Sequence, residues 1–296
     1  MSDPASLLQP VSSFYQEHGI SISMLRLDRV HPVVSGNKWF KLRYNLAAAT
    51  EQGYQQVITV GGAYSNHLVA TAAAARQAGL SAVGIVRGLH GQQKLTPTLL
   101  ACREQGMQLH FVSREAYNEK HTLAFQSALE IMFGKSYFIP EGGANEAGRR
   151  GAGEIAALLP PGITHVCVPV GTGTTFIGLR NALQADQQLI GFPAMKQGNY
   201  LREEIIPYLQ PGKNILWQLD DRFHFGGFAK STPELLAFMQ SFYKATAIPL
   251  DIVYTSKMMY GVQTLLREHA FPEGAHVACI HTGGLQGNPE GLLLNS

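Results

Sequence analysis

Little in this chain is shaped for cross-linking. Its 296 residues hold three cysteines, Cys102, Cys167 and Cys279, an odd number, widely spaced and without a Cys-x-x-Cys pair. That argues against a disulfide framework or a zinc site. Cys167 and Cys279 lie in apolar strand-like runs and read as buried small hydrophobes, in keeping with a reducing cytoplasm. No lysine/arginine run stands out among 23 basic and 21 acidic side chains, and the formal charge is +2, so neither nucleic acid nor an anionic membrane is implied as a partner. Long hydrophobic runs are missing too: stretches such as 163–170 have the length of a strand and fall far short of a bilayer. The start, Met1-Ser2-Asp3-Pro4, lacks the charged-then-apolar build of a secretory signal. No short-period repeat and no low-complexity tract is present. The remainder, 45% hydrophobic and 15% charged, is enough for a sizeable core in one large or two medium domains.

What is there alternates between strand and helix. Residues 20–27 have strand character and a helix is expected over 38–52. Strands at 57–60, 81–86, 108–112 and 136–139 are separated by helices expected at 68–78, 95–105 and 115–133, with glycines just past the strand ends. The alternation resumes with strands at 164–170, 188–192, 215–219 and 276–280, a short strand or extended segment at 251–254, and helices at 146–159, 176–184, 200–209, 232–245 and 258–269. This is the pattern of an α/β protein with open, mostly parallel sheets flanked by helices, and any ligand belongs at the carboxyl ends of the strands. The clearest break in composition, 141–153, has five glycines and reads as a crossover.

Three motifs carry chemistry. In Ser35-Gly36-Asn37-Lys38-Trp39-Phe40-Lys41-Leu42 a polar turn runs into a helix with Lys38 at its start. The positive end of the helix dipole disfavours a lysine's charge, and shielding from water lowers its pKa further. An amine so treated condenses with aldehydes, as pyridoxal phosphate requires. Taken alone, the stretch is equally a surface lysine after a turn. Gly171-Thr172-Gly173-Thr174-Thr175 follows a strand and opens a helix, so its backbone N–H groups can cradle phosphate. It is no Walker loop and lacks both the third glycine and the acidic partner of a dinucleotide site, so a single phosphate suits it better; a plain glycine turn is the simpler alternative. Ser65-Asn66-His67 follows Gly61-Gly62 at a strand end. Ser65 suits a helix N-cap that also faces a ligand. Asn66 can donate to a phenolate-like ring oxygen, and His67 either titrates near neutrality or is structural.

Gly36-Asn37-Lys38 followed by Lys41-Leu42 resembles the lysine motif of pyridoxal-phosphate enzymes of the tryptophan-synthase β fold (fold type II). Within them it is most similar to the branch of 1-aminocyclopropane-1-carboxylate deaminase and D-cysteine desulfhydrase. The Gly-Gly-x-x-Ser-Asn-His run, the 140–148 segment, the 171–175 loop, Val253-Tyr254-Thr255-Ser256-Lys257 and His281-Thr282-Gly283-Gly284 follow in the family's order, so the likeness runs from about Ser35 to Gly287. The resemblance implies that Lys38 carries the cofactor, Asn66 binds its ring oxygen, and Gly171, Thr172, Gly173, Thr174 and Thr175 its phosphate. Ser65 would contact the substrate carboxylate and is a second candidate, beside Lys38, for the proton-abstracting base. Tyr254 would lie over the reacting carbons and Thr255 approach the pyridine nitrogen. His67 and Phe225 would line the substrate site with Ser65, Asn66 and Tyr254. Ring-opening deaminases of the family carry Glu at the Thr255 position and desulfhydrases Thr, and a neutral hydroxyl there makes a weaker electron sink. Two positions depart from the family: Phe40 stands where Arg is usual, and Phe225 aligns with a substrate-site tyrosine.

The resemblance further implies a two-domain fold, with a large domain from 1–49 and 141–296, a small inserted α/β domain at 50–140, and the cofactor in the cleft between domains. The expected function is α,β-elimination from a small amino acid, D-cysteine first, giving a 2-oxo acid and ammonia in a cytoplasmic homodimer. Cyclopropane deamination to 2-oxobutanoate is the same-fold alternative. A non-catalytic pyridoxal-phosphate-binding protein and an unrelated sugar-phosphate or nucleotide binder are the alternatives from other classes.

Overall fold

The computed structural model describes residues 4–12, 14–15, 19–196, 198–213, 215–289 and 292. Its elements in chain order are helix α1 (Pro4–Leu7), strands β1 (Leu8–Pro10) and β2 (Ser21–Arg26), α2 (Asn37–Glu51), β3 (Gln56–Gly62), α3 (Asn66–Gln77), β4 (Ser81–Arg87), α4 (Pro97–Glu104), β5 (Gln108–Val112), α5 (Arg114–Asn118), α6 (Leu123–Phe133) and β6 (Tyr137–Ile139). There follow α7 (Glu146–Gly153), β7 (His165–Val170), α8 (Thr174–Ala182), β8 (Gln188–Pro193), α9 (Asn199–Ile205), β9 (Trp217–Leu219), α10 (Pro233–Thr246), α11 (Thr255–Arg267) and β10 (His276–His281).

The chain forms two compact units, Met1–Asn37 with Ala152–Ser296, and Lys38–Gly151. The first is built on a six-stranded sheet in the order β1-β2-β10-β7-β8-β9, parallel except where β1 meets β2. Every residue of β7 is buried, as a parallel strand covered on both faces should be. Phe192, Phe223, Phe238, Phe242, Met258 and Met259 fill one face of the core. The second unit holds a four-stranded, all-parallel sheet in the order β5-β4-β3-β6. The alanines of α3 are buried, and their small side chains suit close packing of the helix.

Three local expectations change. The helix expected over 115–133 is two helices, because the Thr122 hydroxyl accepts the Phe125 N–H (3.2 Å) and starts a new N-terminus. Residues 251–254 form a turn, since the Asp251 carboxylate takes up the N–H groups of Val253, Tyr254 and Thr255 at 2.7–3.0 Å. That turn starts α11 at Thr255, three residues before the expected 258. β1 carried no recognisable sequence signal, and its pairing with β2 supplies its order.

The borders of the two units are 37/38 and 151/152, and residues 1–3, 13, 16–18, 197, 214, 290, 291 and 293–296 of the expected large domain lie outside the described residues. The glycine-rich 141–151 segment packs on α2. Asn145 Nδ2 donates to Asn45 Oδ1 (2.6 Å), and a Cβ on Gly151 would stand 2.0 Å from the Phe40 carbonyl oxygen. Gly151→Ala must therefore push the segment off α2. We expect a loss of about 1–3 kcal/mol, as for other overpacked sites, in urea unfolding; stability unchanged from wild type would overturn this account of the packing.

Candidate active site

In the first unit, β7 delivers the chain into Gly171–Thr175 and α8 begins at Thr174. Gly173 adopts φ +76°, and no side chain caps α8. The N–H groups of its first turn thus form an electropositive end suited to an anion. A Cβ on Gly171 would stand 3.2 Å from the Tyr254 ring and hydroxyl, so glycine lets that ring lie against the loop. Thr174 and Thr175 are buried, and the Thr172 and Thr174 hydroxyls are 2.9 Å apart.

The same loop is tied to the residue before Lys38. Asn37 Nδ2 donates to Thr175 Oγ1 (2.8 Å) and its backbone N–H to the Thr282 carbonyl (3.3 Å). Gly36 lies so close to Thr282 that a Cβ would fall 1.9 Å from that carbonyl, and φ +71° bars other residues as well. Thr282 is in turn held by its neighbour His281, fully buried, which donates from Nε2 to Pro249 O (2.8 Å) and accepts the Gly283 N–H at Nδ1 (3.2 Å).

In the second unit, Lys38 is half-buried in the first turn of α2, and Lys41, one turn on, is 4% exposed. Burial, and then the charge of Lys38, hold Lys41 well below the ordinary lysine range. Ser65 caps α3, its hydroxyl accepting the Leu68 N–H at 3.4 Å. A Cβ on Gly61 would stand 2.7 Å from the Ser65 hydroxyl, which explains glycine at the end of β3. His67 is buried against Thr59. That hydroxyl gives its one hydrogen to Ile139 O (2.8 Å), so it accepts from His67 Nε2–H (2.9 Å). Burial, followed by the charges of Lys38 and Lys41, lowers the His67 pKa to about 3, against a pull upward from the Pro140 carbonyl. His67 is therefore a neutral structural histidine at physiological pH.

Of the remaining expected residues, Thr255 is fully buried and its hydroxyl is committed: it donates to Asp251 Oδ1 (2.7 Å) and accepts the Asp251 N–H (2.7 Å). Phe225 is turned into the core, its ring 4.9 Å from that of Tyr260. The aromatic ring beside Tyr254 belongs instead to Phe228, at 6.1 Å, half of it open to solvent. Asn37, Lys41 and Phe228 are site neighbours that motif reading left without a role. For Lys41 the signal was its i+3 spacing from Lys38, which puts both on one helix face.

These residues fit pyridoxal phosphate. The uncapped start of α8 suits a phosphate monoester, and in the second unit Asn66 Oδ1 is buried with no hydrogen-bond partner among the described residues. An amide so placed still has a ligand to serve.

Comparison with known proteins agrees. The family model for pyridoxal-phosphate dependent enzymes matches residues 6–283. A bifunctional D-cysteine desulfhydrase/1-aminocyclopropane-1-carboxylate deaminase of Arabidopsis thaliana is 30% identical, covering 91% of this chain and 74% of its own length. The D-cysteine desulfhydrase of Yersinia pestis is 27% identical over 95% of this chain and 91% of its own. A putative 1-aminocyclopropane-1-carboxylate deaminase of Pyrococcus horikoshii is 29% identical over 95% and 89%. The crystal structure of an ACC deaminase homologue superposes with a TM-score of 0.80 at 26% identity, covering 95% of this chain and 89% of that one. The matched span takes in both sheets and the 171–175 loop, and the chain is a member of the pyridoxal-phosphate-dependent enzyme family.

Proposed function

We propose that this enzyme is a lyase acting on small amino acids, with D-cysteine as its first substrate and a 2-oxo acid, sulfide and ammonia as its products. The observation that carries the reading is the Asn37 tether, which joins Thr175 of the anion cradle to the residue next to Lys38. The names of the relatives supply the substrate class, and Thr255, a neutral residue, favours elimination over ring opening. Cyclopropane deamination stands as the second reading because the Arabidopsis relative is named for both activities.

Bound pyridoxal phosphate supplies an electron sink for negative charge developing at the substrate's α carbon. Lys38 would hold it through Nζ, the N–H groups of Gly171–Thr175 would take its phosphate and Asn66 its ring oxygen, and Thr255, its hydroxyl engaged by Asp251, would stand as a neutral neighbour of the ring nitrogen. Ser65 accepts an N–H and keeps its own hydrogen, so its hydroxyl is free to donate to a substrate carboxylate. Tyr254, with Phe228 beside it, would lie over the reacting carbons and exclude water. Lys38 or Ser65 would move the α proton, and at a pKa of about 3 His67 is too weak a base to share the task. Phe40 is 3% exposed and belongs to the packing of α2.

Among the described residues no helix is long and apolar enough to cross a membrane. Three buried, unpaired cysteines favour a cytoplasmic setting. A homodimer is supported by the exposed apolar side chains of α6, Leu123 (82%), Ile131 (87%) and Met132 (57%), which a second copy would cover.

Purified protein incubated with pyridoxal phosphate should turn yellow, and Lys38→Ala should abolish both the colour and sulfide release from D-cysteine. A colourless wild type would sink the cofactor assignment, and sulfide release from neither enantiomer of cysteine would sink the substrate. His67 protonates far more easily unfolded (6.5) than folded (about 3), so its contribution to stability is lost as pH falls through that window. We expect His67→Gln to flatten the pH dependence of unfolding there by on the order of 1 kcal/mol per pH unit; an unchanged slope in urea titrations contradicts the assignment. Sedimentation velocity should give a dimer that Ile131→Asp weakens, whereas a monomeric wild type removes the homodimer.

A further inference from the structure

Lys257 stands on the first turn of α11 with its side chain 1% exposed. Its Nζ donates to three backbone carbonyls, those of Ala194 (3.2 Å), His224 (2.8 Å) and Gly227 (2.8 Å). An ammonium has three hydrogens, and all three are used. Ala194 is the residue just beyond β8, whereas His224 and Gly227 bound a single turn closed by the Gly227 N–H on His224 O (3.0 Å).

That turn is unusual in its backbone. Phe225, Gly226 and Gly227 have φ of +50°, +92° and +118°, so a phenylalanine occupies the left-handed region. The result is to aim the carbonyls of His224 and Gly227 at one point, where their negative ends oppose each other unless a cation lies between them. The turn also decides which way its two phenylalanines face: Phe225 inward on Tyr260, and Phe228 outward beside Tyr254.

We propose that Lys257 is a positioning residue, a covalently attached monovalent cation whose carbonyl cage sets the 224–228 turn and thereby the place of Phe228 beside Tyr254. The cage stands on its own geometry; only its consequence for turnover rests on the function proposed above. Burial lowers the Lys257 pKa to about 8 against an upward pull from Asp251, which leaves the ammonium the main form at neutral pH. A carbonyl cage of this size has no chemical means of telling a lysine head from a free ammonium or potassium ion, so an emptied cage should bind either.

Hydrogen exchange over 224–230 tests this on the holoenzyme, and D-cysteine kinetics follow separately. Lys257→Ala should raise exchange in the turn by about tenfold. Potassium or ammonium chloride should reverse the rise, and choline chloride at equal ionic strength should not. Lys257→Met fills the cage without charge, so it should loosen the turn and resist rescue. In the wild type, nitrogen-15 spectra should contain one lysine ammonium with slowly exchanging hydrogens, a readout that needs no variant. Wild-type exchange in Lys257→Met overturns the proposal, as does an Ala variant that neither ion tightens, or the lack of a protected ammonium. If the cage behaves as expected but no substrate turns over in the wild type, the function proposed above fails and the cage stands.

Discussion

Asn37 makes two hydrogen bonds on which the candidate site depends. Its backbone N–H goes to the Thr282 carbonyl and its side-chain amide to the Thr175 hydroxyl, one covalent step before Lys38. Each neighbour in the motif has a separate physical reason. Gly36 is required because any side chain there would collide with Thr282. Asn37 is required because a short amide can bond from both backbone and side chain at once. Lys38 then follows at the start of a helix, where its backbone direction is set by groups that are themselves buried and held, down to His281 on Pro249.

The molecule handles its buried bases in three distinct ways. Lys41 is buried one turn from another lysine, and burial and like charge both weaken its hold on a proton. His67 is kept neutral by burial and then by the charges of Lys38 and Lys41, which leaves it no acid–base task near neutral pH. Lys257 is lowered to about 8 by burial, and its ammonium hydrogens are all taken up by three carbonyls. Identical or similar side chains are thus separated in role by their neighbours, as expected where desolvation, nearby charge and hydrogen bonding compete.

Much of this was legible in the order of residues. Strands β3, β7 and β10 are covered on both faces, so they are continuous apolar runs that no helix period imitates. The 171–175 loop and the Ser65 cap are local devices, in which a few consecutive residues determine the geometry. The Lys38 motif was legible as a resemblance, since its parts lie within a few positions of each other. The failures were also physical. The break at Thr122 hung on one hydroxyl's choice of partner, and the 251–254 turn on a carboxylate that reaches forward to three N–H groups.

The sequence by itself determined the alternation of strands and helices and the parallel sheets, because these depend on period and on near neighbours. Only the tertiary structure decided that Phe228 and not Phe225 stands beside Tyr254, that the Thr255 hydroxyl belongs to Asp251, and that Lys257 gathers carbonyls from residues 194, 224 and 227. The first outcome is set by which way a three-residue turn of positive φ faces its side chains, the second by a carboxylate four positions back, and the third by partners thirty or more positions away, about which local chemistry is silent.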